Sequence, residues 1–106
     1  MQSHGAAASV TSILTQLADF LDEAGPNDLA LKQLVADGKD ALDDWGAQCA
    51  AQEWDGLAGS VERFRQQVAK AGVRMENMKR VLRLDELLRA LRSSALAAAA
   101  EASQSD

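Results

Sequence analysis

This chain of 106 residues has one cysteine, one histidine, one proline and no tyrosine. Each scarcity removes a class of protein. Cys49 has no second cysteine to pair with, so an internal disulfide is impossible, which fits a reducing cytoplasm. His4 stands alone near the start, so neither a mid-helix phosphotransfer histidine nor a serine–histidine pair can form. One histidine and one cysteine cannot build a zinc site, and the acidic residues between Asp40 and Asp55 do not follow a calcium-loop pattern. There is no glycine-rich phosphate loop, no nucleophile elbow at Gly59-Ser60, and no Asp-Ser-Leu attachment sequence of an acyl carrier. Long hydrophobic runs are missing too, so no segment approaches the length of a membrane span. A charged stretch followed by an apolar one, the mark of a Sec-type leader, is absent from the first residues. These absences point to a non-enzymatic, cytoplasmic protein without cofactor or metal.

Abundant alanine, leucine, glutamine, glutamate and arginine instead favour helix, and no alternating β-branched run suggests a strand. Aromatics are 4% of the chain, so Leu, Val and Ala must build the core around Phe20, Trp45, Trp54 and Phe64. The fold class expected is all-α, an antiparallel bundle of three to four helices with coiled-coil-like packing. Residues 1–8 read as a disordered N-terminus, 9–92 as the bundle, and the Ala/Ser-rich 93–106 as a flexible tail. Ser9 is the expected cap of a first helix with Val10, Ile13, Leu14, Leu17, Phe20, Leu21 and Ala24 on one face, ended by Gly25-Pro26. Asn27 or Asp28 caps a second, with the stripe Leu31, Leu34, Val35, Gly38, Leu42, Trp45 and Cys49. Gly38 marks a close approach of a neighbouring helix, Gly46 a break, and a turn falls between Gly46 and Gly59.

The longest pattern is Trp54, Leu57, Val61, Phe64, Val68, Ala71, Met75, Met78, Leu82, spaced three and four apart. It predicts a long third helix that serves as the spine, with Gly72 able to kink or end it. Past Leu82 the phase shifts to Val81, Leu84, Leu88, Leu91 and Ala95, which either overwinds a coiled coil or marks a fourth helix. Trp45 and Trp54 either fill the core near the turn or stand out as binding anchors.

Charge is uneven. Residues 1–60 carry two basic and ten acidic side chains; residues 61–106 carry nine basic and six acidic, within a net charge of −5. That balance argues against nucleic-acid binding by the whole chain. Asp37, Asp40, Asp43 and Asp44 give the second helix a solvated acidic face. The segment from Lys79 to Arg92 is basic and amphipathic but lacks an aromatic for membrane anchoring or base stacking. A helix-in-groove contact with a partner protein suits it better, with completion of the bundle as the plainer alternative. The candidate partner-binding residues are Trp54, Leu84, Leu87, Leu88, Leu91, Arg89 and Arg92.

The stretch Ala50-Ala51-Gln52-Glu53-Trp54-Asp55-Gly56-Leu57, followed by helix through Phe64, resembles the flagellar export chaperones of the FliT class. In that family a Trp-Asp-x-Leu pattern opens a helix, and a later helix carries a Leu-x-x-Asp-type stretch followed by Arg and Leu. Leu82 to Leu91 is similar to that second part, although the tryptophan lies later here, behind an additional helix. The resemblance implies a small cytoplasmic helical protein that binds a secretion substrate or regulator through an amphipathic helix. Trp54-Asp55-Gly56 is also similar to the helical-hairpin turn of the secreted WXG100 proteins, whose tyrosine-based C-terminal signal this chain lacks. The expected function is thus a chaperone-like adaptor. The alternatives are a homo-oligomeric coiled-coil protein, such as a homodimer, or a WXG100-like secreted hairpin.

Overall fold

A computed structural model of the protein describes residues 5–23 and 28–104. It is all-α: α1 spans Gly5–Glu23, α2 Leu29–Ala50, α3 Trp54–Lys70 and α4 Met78–Gln104, with a short 3-10 turn at Met75–Asn77 before α4. No strand occurs among the described residues. α4 packs on both α1 and α3, and α2 closes the other side by packing on the same two helices, which is consistent with a bundle. Ion pairs join Arg65 to Asp85 and Glu62 to Arg92, so residue numbers fall along α3 as they rise along α4. The pairs Thr11 with Cys49 and Asp22 with Lys39 show the same relation between α1 and α2. The molecule measures 48 × 21 × 20 Å. At 1.5 Å per residue, the 27-residue α4 reaches about 40 Å and so runs most of that length.

The core follows the expected stripes. Val10, Leu17 and Leu21 of α1, Leu31, Leu34 and Trp45 of α2, and Trp54, Leu57, Val61, Phe64 and Val68 of α3 are buried together. Both tryptophans are core residues, and Trp45 meets Phe64 edge-on at 5.7 Å between ring centroids. Gly38 is a close approach as expected: a Cβ there would lie 3.1 Å from Leu21 Cδ1 and 3.5 Å from Phe64 Cζ.

The long third helix does not form. α3 ends at Lys70, residues 71–74 leave the helix, and the stripe loses its burial with it. Met75 is 87% exposed and Leu82 59%. The phase shift marks a separate fourth helix, whose inner face is Val81, Leu84, Leu88, Leu91 and Ala95. α4, not α3, is therefore the spine. Gly72 has no left-handed φ, so the break does not depend on glycine's conformational freedom. What favours it is the change of stripe: continuing α3 straight would turn Leu84 and Leu88 away from the core.

Three local expectations also change. Ser9 lies inside α1, because the preceding alanines extend the helix to Gly5 and Ala6 is buried; residues 1–4 of the expected N-terminal segment lie outside the described residues, as do Gly25-Pro26 and Asn27. Gly46 does not break α2, which runs on to Ala50. The segment expected as a tail is helical to Gln104, with Ala95 and Ala98 buried. Alanine has the highest helix propensity and is small enough for a neighbour to approach closely, so low bulk here serves packing.

The α2–α3 turn uses no glycine. Ala51 caps α2, Gln52 takes a left-handed φ of 59°, Gln52 N–H donates to Cys49 O at 3.0 Å and Glu53 N–H to Gln48 O at 2.9 Å. This is a Schellman turn, with glutamine at the position glycine usually fills.

Candidate functional site

The least covered apolar surface lies where α2 and α4 begin. Asp28 organises this end. Its Oδ1 accepts Ala30 N–H at 2.9 Å, capping α2 as expected. Its Oδ2 accepts Arg74 N–H at 2.6 Å and Asn77 Nδ2–H at 3.4 Å, tying the start of α2 to the segment that leads into α4. Asp28 and Asn77 are the buried polar side chains of the described structure. The Arg74 N–H above all, then Asn77 and the Ala30 and Leu31 N–H groups, hold the Asp28 carboxyl below its ordinary range, against the opposing effect of burial.

Leu29 and Met75 each follow a residue of this clasp directly, and both point out: Leu29 is 83% exposed. Met78 and Leu82 are exposed along the outer side of α4, one helical turn apart. Large apolar side chains are thus exposed on two elements at this end of the rod, Leu29 on α2 and Met75, Met78 and Leu82 at the start of α4. They stand among exposed residues of both charges, such as Lys79, Glu76 and the ion-paired Arg83 and Glu86.

The residues expected to bind a partner lie elsewhere. Leu84, Leu87, Leu88 and Leu91 are buried, as is Trp54, so the plainer reading of completing the bundle holds for them. They cannot meet a partner without opening the protein. Arg89 and Arg92 are on the surface, in a charge network along the α3–α4 seam. Arg65 Nη1 bonds Glu62 Oε1 at 2.7 Å and its Nε bonds Asp85 Oδ1 at 3.0 Å, while Arg89 Nε reaches Asp85 Oδ2 at 2.8 Å and Arg92 Nε lies 3.6 Å from Glu62. Asp85 first, and Glu62 after it, raise the already high pKa of Arg65. The network holds α3 and α4 in register. Met75, Met78 and Leu82 were the residues that spacing placed in the core; the signal that they belong outside is the overlapping stripe beginning at Val81.

Among the described residues, hollows also lie between the helices. A groove of about 520 Å³ between α1 and α2 is lined by Leu14, Ala18, Leu42, Gly46 and Cys49, with the half-buried Cys49 thiol 4.0 Å from Thr11 Oγ1. Another, of about 360 Å³, lies between α2 and α3 beside Asp37, Asp40, Asp44 and Arg63. Among the described residues no group of three or more His, Cys, Asp and Glu side chains is placed to hold a metal ion. No described helix is long and apolar enough to cross a membrane. Comparison with protein-family models, curated proteins and solved structures finds no match to this chain.

Proposed function

We propose that this protein is a small non-enzymatic, chaperone-like adaptor of the cytoplasm, an antiparallel coiled-coil-like bundle that binds a partner protein in an export or assembly pathway. One observation carries the binding reading: Met75, Met78 and Leu82 stand exposed in succession at the start of α4, where Asp28 bonds the Arg74 N–H. Scattered apolar residues on a surface are ordinary, whereas a cluster on a fixed scaffold marks an interaction site. Methionine adapts to partners of varied shape. The binding face in this proposal is the outer side of α4 and not its inner leucines. Burying a few such side chains at about 1.5–3 kcal/mol each supplies micromolar affinity once association costs are met. The export setting rests on the Trp54-Asp55-Gly56-Leu57 resemblance alone.

The test is affinity capture from lysate of the native host, with wild type beside Met75→Ser plus Leu82→Ser, read by mass spectrometry. A protein kept by the wild type and lost by the variant supports the adaptor. If nothing is kept differentially and light scattering shows a stable dimer or tetramer, the homo-oligomeric reading replaces it.

A further inference from the structure

Along the α3–α4 seam three arginines line one hollow. It measures about 390 Å³ and is bounded by Arg65, Arg89, Arg92 and Ser93. Arg89 and Ser93 lie one turn apart on α4 with Arg92 beside them, and Arg65 faces them from α3. The carboxylates of Glu62 and Asp85 pair with these arginines but do not line the hollow. Asp85 meets Arg89 at its Nε, and Glu62 meets Arg92 at its Nε. Among the described residues, the Nη groups of Arg89 and Arg92 and the hydroxyl of Ser93 donate no hydrogen bond. Three guanidiniums share two carboxylates, which leaves one positive charge in excess.

We infer that this hollow is a binding site for a phosphate dianion, free or as a phosphomonoester. The planar fork of a guanidinium matches phosphate oxygens, and such charge-assisted hydrogen bonds are roughly twice as strong as neutral ones. Phosphate presents its acceptor oxygens in a tetrahedron, so it takes donors from both helices and from the Ser93 hydroxyl at once. A carboxylate offers two coplanar oxygens and one charge, and leaves part of this donor set unmet. Arg65 forms the fixed wall of the site: its side chain is 22% exposed and two carboxylates hold it before any ligand arrives. The inference goes beyond the adaptor reading and does not depend on it, since Met75, Met78 and Leu82 take no part.

The test is an NMR titration of the full-length, nitrogen-15-labelled protein with sodium phosphate at about pH 8, where the dianion dominates. Chloride keeps the ionic strength constant throughout. Saturable shifts are expected in the Ser93 amide and in the Nε–H signals of Arg65, Arg89 and Arg92, with a Kd of about 1 mM or below. Arg89→Gln is expected to weaken binding by about tenfold. Arg89→Lys, which keeps the charge and loses the fork, is expected to weaken it as well. Lys79→Gln removes the same charge at an exposed position of α4 outside the hollow and should leave the affinity unchanged. Arg89 is itself exposed, and circular dichroism verifies that each variant keeps its helices. Shifts that never saturate, or that spread over all the basic side chains, overturn the inference. So does an unchanged affinity in Arg89→Gln, an equal loss in Lys79→Gln, or acetate binding as tightly as phosphate. A parallel titration with O-phosphoserine separates the two sources. Equal or tighter binding assigns the site to a phosphomonoester, and weaker binding assigns it to free phosphate.

Discussion

Asp28 performs two tasks with two oxygens, one at the α2 terminus and one across to Arg74 and Asn77. Because folding lowers its pKa from 3.8, its ionised form stabilises the fold at neutral pH. That contribution is present above the unfolded value and is lost as pH falls through the lower folded one. Asp28→Asn is therefore expected to be less stable than wild type at pH 7, with the gap narrowing below about pH 4. Urea unfolding of both proteins across this range checks it; a gap independent of pH would show that the charge does not matter. Gln52 gives the opposite case. Holding a residue with a Cβ at φ 59° carries a strain that glycine lacks. Gln52→Gly is expected to stabilise by about 0.5–1 kcal/mol, seen as a melting temperature higher by several degrees. No rise, or a fall, would mean that the glutamine side chain contributes something the backbone geometry does not reveal.

Among the helices, α4 shows how a second stripe overrides the first. Met75, Met78 and Leu82 extend the spacing of α3 without a fault, yet Val81, Leu84, Leu88 and Leu91 bury far more surface. Leu88→Ala is expected to cost about 2–5 kcal/mol, while Leu82→Ala should stay within about 0.5 kcal/mol of wild type. Chemical denaturation of the pair distinguishes them; similar losses would contradict the assignment of inner and outer faces. Leu84→Asp with Leu88→Asp should abolish cooperative melting. The interior glycines divide in the same way. Nothing lies within 4 Å of a Cβ added at Gly46, so Gly46→Ala is expected to stabilise α2 by up to about 1 kcal/mol. Gly72 also has open space and ordinary φ, and Gly72→Ala should leave the break between α3 and α4 in place. Backbone chemical shifts of residues 71–74 in that variant decide the point, since helical values there would make glycine the cause.

For the whole molecule, the all-helical class, the stripes of α1 and α2 and a cap of α2 at Asn27 or Asp28 are legible in the chain. Helix propensity, a period near 3.6 and capping chemistry are local, and each acts within a few residues. The apolar period said that side chains such as Leu57, Val61 and Leu88 must be covered, and they are. Which of two overlapping stripes would be covered was not a local matter. Trp54 through Leu82 and Val81 through Ala95 each satisfy the same spacing rule. Only packing four helices into one rod determined that Leu84, Leu87, Leu88 and Leu91 fill the interior and that Met75, Met78 and Leu82 remain outside. The candidate binding site was hidden for the same reason. Its place at the start of α4 is set by the bond between Asp28 and Arg74, which are far apart in sequence. The order of residues thus determined which surfaces need a partner. The tertiary structure decided which of them already have one, because burial depends on the contacts made by every helix at once.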